Sequence, residues 1–412
     1  MEEIQRTVPT GQIEGFCDPR FRAVAEEFER NFVERDEVGA SVCLSLDGET
    51  IVDLWGGLAD PSTQTPWGRD TISIVFSCTK GAVAISAHVL ASRGALDIEA
   101  PVSKYWPEFA RNGKEDATVR MMLDHSVGLP AFRTPVPPGG CCDWDTMVGL
   151  LADEAPFWKP GTRNGYHMIN FGWTVGELVR RVGRSSLGEF FRDEIAEPLG
   201  IDFWIGLPEK HESRVAPIIP FVPEPGADLG TFMQTLVDDP QSIQALSLLN
   251  TGGFDPHARA CHAAQIGGAG GISNARGLAG LYAPFACGGS LGGRRFVDAQ
   301  QLTRMGEISV ATNEDATLLL PTRFSLGFMK SMDNRRRARG DRDSVILSSA
   351  AFGHVGAGGS IGFADPRERL SLGYSMNRMG QGILLNERGQ SLVDATYRAL
   401  GYASCDAGVW VR

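Results

Sequence analysis

From Arg20 to Phe32 apolar residues recur every four positions, at Val24, Phe28 and Phe32, with Glu26, Glu29 and Arg30 on the other side. That period predicts an amphipathic helix. Between Gly39 and Leu46 the period drops to two, with Val42, Leu44 and Leu46 alternating against Ser41, Cys43 and Ser45. Asp47-Gly48 follows, and Thr50 to Trp55 then carries Ile51 and Leu54. Two such runs joined by Asp-Gly predict a β-hairpin with a tight turn. Ser77 to Arg93 is apolar on nearly every side (Ala82, Val83, Ile85, Ala87, Val89, Leu90) and closes on Gly94, which predicts a helix buried all round.

From Pro101 to about Gly293 helical patterns, Thr174 to Val182 and Ser186 to Ile195, alternate with long loops rich in Pro and Gly, and strand signals are scarce. Strand patterns return at Ser344 to Leu347 and Ser360 to Ala364. After an Asp365-Pro366 turn, Leu370, Leu372, Tyr374 and Met376 alternate, ahead of a last helix around Ser391 to Leu400. A chain that begins and ends in strands most simply closes one antiparallel sheet. The expected class is therefore α+β, an antiparallel sheet flanked by helices with an inserted, mostly helical region. The expected division places 1–75 and 320–412 in a discontinuous sheet region and 76–319 in the helical region, with any site between them.

Composition narrows the function. The 412 residues are 42% hydrophobic and 22% charged, which fits a globular protein with a large core. A net charge of -11 disfavours phosphate backbones and anionic lipid surfaces, so neither nucleic acid nor membrane is an expected partner. The N-terminus is acidic, without the basic and apolar regions of a signal peptide, and no apolar run approaches the ~18 residues of a membrane span, so a cytoplasmic protein is expected. The eight cysteines are scattered. The only close pair, Cys141 and Cys142, are chain neighbours whose mutual disulfide would be strained, so free thiols are expected.

Three segments carry candidate chemistry. Ser77-Cys78-Thr79-Lys80 sits where a polar loop meets the buried helix, and residues three apart share a helical face, so the lysine falls within reach of the serine hydroxyl. A lysine packed in an apolar helix loses pKa by desolvation and becomes a base at neutral pH, while the helix N-terminus supplies free N–H groups. The same tetrad also suits a capping serine with a solvated lysine. Lys159-Pro160-Gly161-Thr162-Arg163-Asn164-Gly165-Tyr166 is a turn that delivers a tyrosine ahead of a helix, either a proton relay or a packed aromatic. Phe352-Gly353-His354-Val355-Gly356-Ala357-Gly358-Gly359-Ser360 precedes a strand, and its glycines allow close backbone approach to a substrate or simply make a turn.

In this order and at these separations the three segments resemble the serine β-lactamase and penicillin-binding-protein superfamily, and within it the class C-related family VIII carboxylesterases. The likeness runs from the hairpin near Gly39 to the last helix. It is joined by Val102-Ser103-Lys104-Tyr105-Trp106-Pro107, Leu123-Asp124-His125-Ser126-Val127-Gly128-Leu129-Pro130 and Glu197-Pro198-Leu199-Gly200. The resemblance implies Ser77 as nucleophile and Lys80 with Tyr166 as its activating pair. It implies an oxyanion hole of the Ser77 and Ala357 N–H groups, and substrate contacts from His354, Gly356 and His167. Tyr166-His167-Met168 stands where true β-lactamases have Y-x-N, and His354 replaces the lysine of K-T-G. A histidine only partly protonated near neutral pH is a poor anchor for a β-lactam carboxylate, so the esterase branch is favoured.

Two G-x-S-x-G runs, around Ser290 and Ser360, fail the strand–serine–helix context of a nucleophile elbow. No H-E-x-x-H, C-x-x-C pair or G-x-x-x-x-G-K is present, so no metal or cofactor is expected. Trp106, Trp144, Trp158, Trp173 and Trp204 are read as core or as walls of an acyl pocket. The expectation is a serine esterase acting on small esters of short to medium acyl chain. The alternatives are an acyltransferase or weak β-lactamase on the same residues, or a penicillin-recognising protein that is acylated without turnover.

Overall fold

The computed structural model describes residues 1–412. The hairpin forms where the alternation places it, from β3 (Gly39–Leu46) to β4 (Glu49–Asp60), and both turn residues, Asp47 and Gly48, take positive φ. That geometry matches strand twist and is the one Asp-Gly favours. A second hairpin, β1 (Glu2–Val8) and β2 (Gly11–Cys17), precedes it and pairs with β4. Its pattern is weak in the sequence because β1 is an edge strand with only Ile4 and Val8 buried.

The C-terminal strands β5 (Phe352–Val355), β6 (Ile361–Asp365) and β7 (Leu370–Met376) complete an antiparallel sheet in the order β1-β2-β4-β3-β7-β6-β5. Ser344 to Leu347, read as a strand, forms only isolated bridges. Val345 pairs with Met332 and Ser344 with Leu385, while Leu347 accepts from Trp410, so no single neighbour offers a ladder.

Both faces of the sheet are covered. Val42 and Leu44 pack with Phe28 and Phe32 of α1 (Arg22–Glu34) and with the C-terminal helix Glu387–Ala399. Cys43, pointing the other way, meets Ala275 and Ala279 of the helix Ala275–Ala286, and Ser41 Oγ accepts the Ala275 N–H at 3.2 Å. The polar positions of β3 are therefore buried as well. A separate apolar core surrounds α2 (Thr79–Ser92), where every residue from Thr79 to Leu90 is buried. No helix is long and apolar enough to cross a membrane.

Candidate active site

The chain enters α2 through Phe76, a non-glycine residue at φ 43. Such conformations are uncommon and concentrate at functional turns. The kink leaves Ser77 partly exposed while Lys80, one turn on, is fully buried. Lys80 Nζ lies 2.9 Å from Ser77 Oγ, 2.5 Å from the Met168 carbonyl and 2.6 Å from the Gly268 carbonyl. Burial holds its pKa well below the ordinary lysine range.

Tyr166 is brought to the same point. Its ring lies 4.8 Å from Lys80 Nζ, and burial raises the pKa of its phenol. The backbone that carries it is held by Asp315, whose carboxylate accepts the Tyr166 N–H at 2.9 and 3.1 Å and the Thr317 and Leu318 N–H groups at 2.9 Å each. No motif marks Asp315, because its partner lies 149 residues away. The Met168 and Gly268 carbonyls are likewise invisible in a sequence, since any residue offers a carbonyl.

The histidines differ from expectation. His354 is buried, and burial with the nearby Lys80 pushes its pKa down to about 3, so it is neutral rather than partly protonated near pH 7. Its Nδ1 lies 2.7 Å from the Val355 carbonyl and must donate, which leaves Nε2 as a lone-pair acceptor with no partner. His167 is also buried, with a pKa pushed to about 3 by burial, and its Nε2 accepts the Leu129 N–H at 2.9 Å. The His167 backbone N–H donates to His125 Nδ1 at 3.2 Å, and the His125 ring stands 4.9 Å from that of Tyr166. His167 thus supports the loop that carries Tyr166. His125 belongs to the Leu123–Pro130 run noted in the sequence, the one signal that could have found it.

Gly356 packs as backbone. A Cβ there would meet Val75 O and Ser360 Oγ at 2.3 Å each, and its N–H is committed to Ser360 O at 2.8 Å. Ala357, next along, is half-buried, and neither its N–H nor that of Ser77 has a protein acceptor. Two unbonded N–H groups beside a partly exposed serine can receive an oxyanion. The rival serines lack such surroundings. Ser360 is buried with Oγ 3.3 Å from Val75 O, and Ser290 lies in a two-residue surface hairpin with Arg294-Arg295.

A cavity of about 450 Å³ opens beside this cluster, lined by Met168, Phe221, Phe232, Met233, Leu248 and Met379 among others. None of the tryptophans lines it, and Trp106 and Trp173 are core. Met168 also gives its carbonyl to Lys80, and Met379 lies against Gly358, the residue after Ala357, so the cavity shares walls with the site.

Comparison with known proteins bears on the family and the fold. The profile of the family described as Beta-lactamase matches residues 25–393. The chain is 34% identical over 394 residues to Esterase/beta-lactamase LipL of Mycobacterium tuberculosis, covering 90% of this chain and 85% of that protein. A solved family VIII carboxylesterase superposes with a TM-score of 0.82 at 38% identity, covering 94% of this chain and 99% of that one. A penicillin-binding protein homolog from Caulobacter crescentus gives the same TM-score of 0.82 and the same coverage, 94% and 99%, at 33% identity.

Proposed function

This chain belongs to the beta-lactamase family, and we propose that it is a serine carboxylesterase whose Ser77 site cleaves small esters through an acyl-enzyme. Its fold is the beta-lactamase-like one, and the similar esterases support ester hydrolysis. The observation that carries the mechanism is the 2.9 Å approach of a fully buried Lys80 Nζ to Ser77 Oγ. A neutral amine has two N–H bonds and one lone pair. The Met168 and Gly268 carbonyls take the two hydrogens, which aims the lone pair at the Ser77 hydroxyl.

Lys80 then accepts the Ser77 proton as Oγ attacks the ester carbonyl, and the Ser77 and Ala357 N–H groups hold the oxyanion. Tyr166, kept protonated by its raised pKa, gives its proton to the departing alkoxide and is reprotonated from Lys80. Water enters by the same route in reverse and frees the acid. The site lies between the sheet region, 1–75 and 320–412, and the helical region, 76–319. The apolar cavity beside Met168 and Met379 suits a short to medium acyl chain. The neutral His354 offers a β-lactam carboxylate a lone pair instead of a positive charge, which weighs against efficient β-lactam turnover.

Steady-state hydrolysis of p-nitrophenyl butyrate and octanoate, with nitrocefin alongside, tests this in wild type and Ser77→Ala. Ester turnover that falls by about 10⁴-fold or more in the variant, with little nitrocefin cleavage by wild type, is expected. Turnover that survives the substitution overturns Ser77 as nucleophile. Nitrocefin cleavage faster than ester cleavage overturns the substrate class.

A further inference from the structure

Away from the candidate active site, three cysteines converge. Cys141 and Cys142 end the turn Gly140–Cys142 before the helix Trp144–Asp153, and Cys261 sits in the short helix Arg259–Ala263. All eight cysteines are free thiols. Cys142 Sγ is 3.7 Å from Cys141 Sγ and 3.7 Å from Cys261 Sγ, and the three sulfurs lie within 4.8 Å of one another. Cys141 and Cys261 are buried, and Cys142 is half-buried on a cavity of about 370 Å³ that Trp144, Trp173, Arg180 and Gln265 also line.

We propose that Cys141, Cys142 and Cys261 form a zinc site with three thiolate ligands and a fourth position open to this cavity for water. Zn–S bonds of about 2.3 Å in a tetrahedron separate the sulfurs by about 3.8 Å, which is close to the 3.7 Å that already separates Cys142 from Cys141 and from Cys261. The triangle therefore needs little movement to close on the ion. Sulfur is the soft donor that selects zinc over calcium or magnesium. Three S–H bonds break, three Zn–S bonds form, and three protons pass to solvent, so no oxidant or reductant is required. A disulfide is the poorer use of the cluster. Cys141 and Cys142 are adjacent in the chain, and a bond from Cys142 to Cys261 would leave Cys141 with no partner.

The site would also tie two distant segments together, since Cys142 and Cys261 are 119 residues apart. The segment after Cys261 runs on to Gly268, whose carbonyl receives Lys80. Zinc there would stabilise the folded chain by binding it in preference to the unfolded one.

The test uses full-length protein, reduced and stripped of metal, titrated with Zn²⁺ against a chromogenic chelator. One tightly held zinc per chain and a raised Tm are expected. Cys142→Ser and Cys261→Ser should each weaken binding by at least the roughly 10–100-fold that loss of an outer-sphere partner costs. Should either variant misfold, alkylation of wild type followed by peptide mapping decides the matter. Zinc is expected to protect Cys142, the half-buried member of the three, and to leave the reactivity of the half-buried Cys287 and Cys405 unchanged. No stoichiometric binding, protection elsewhere, or variants that bind as wild type does overturn the proposal. So does a Cys142–Cys261 disulfide that, once reduced, leaves thiols taking up no zinc. None of these readouts depends on ester turnover.

Discussion

Asp315 and Tyr166 are joined through the carboxylate of one and the backbone N–H of the other, at 2.9 and 3.1 Å, across 149 residues of sequence. The same carboxylate caps the N–H groups of Thr317 and Leu318, and all of this lies out of reach of solvent. Asp315→Ala strands these donors in the interior, at about 1–3 kcal/mol for each N–H left unpaired. Stability should fall, and kcat for ester hydrolysis should drop about 10–100-fold as Tyr166 loses its seat. Asp315→Asn keeps an amide oxygen in place of Oδ1 and should recover much of both. Equal damage from the two substitutions, read by thermal unfolding and steady-state kinetics, would count against this positioning role.

Lys80 depends on a backbone contact that tolerates no side chain. A Cβ on Gly172 would come within 2.1 Å of Gly268 N and 2.4 Å of Gly267 C, so the helix Phe171–Gly183 rests directly on the turn whose carbonyl receives Lys80. Gly172→Ala improves helix propensity yet should destabilise the protein by about 1–3 kcal/mol through overpacking. It should also lower kcat by displacing the Gly268 carbonyl. Unchanged Tm and unchanged kcat would show that the two backbones are free to separate.

Acid should destabilise the fold through its buried imidazoles. Burial holds His88 at about 4 and both His167 and His354 at about 3, against about 6.5 in an unfolded chain. Between those values the unfolded state binds a proton at each ring that the folded state does not. Stability is therefore full above pH 6.5 and is lost as pH falls toward 3, by about 1.4 kcal/mol per ring per pH unit. Urea unfolding at pH 7 and pH 5 checks this, and substituting His88 by Gln should flatten the slope. A slope that the substitution leaves intact would assign the acid sensitivity to other groups.

The pH dependence of turnover should report Lys80. As a base it works only when deprotonated, so kcat/KM should rise with pH through its depressed pKa and then level off. His354, neutral down to about 3, should contribute no limb at neutral pH. A His354→Gln variant that keeps the acidic limb at its wild-type position agrees with this, whereas loss of the limb would transfer the titration to the histidine.

The first β-hairpin that the sequence marks, the helix after Ser77 and the strands Ile361–Asp365 and Leu370–Met376 were legible along the chain, because each rests on a local period or a turn pair. Phe352–Val355, read as a glycine-rich segment ahead of a strand, is itself a strand paired with Ile361–Asp365. Ser77 stands in the turn just ahead of the helix Thr79–Ser92, and the Lys80 N–H donates to its carbonyl at 3.0 Å, so the three-residue spacing brings the two together although the serine lies outside the helix. The N-terminal hairpin was harder to read, since an edge strand buries few side chains and leaves little alternation. Ser344 to Leu347 shows the converse: its β-branched and aliphatic residues suit a strand, but its backbone bonds go to separate partners.

What the sequence determined by itself is therefore the local matter: which segments form helices and strands, that an S-x-x-K serine opens a buried helix, and the family resemblance those segments carry. The tertiary structure alone decided how buried each group is and which distant groups meet. Burial sets the charge of Lys80 and His354, because a pKa answers to surrounding dielectric and not to neighbours in the chain. The Asp315 support for Tyr166, the carbonyls that orient Lys80 and the approach of Cys261 to Cys142 all join residues far apart in sequence, and only packing in three dimensions brings such groups within reach.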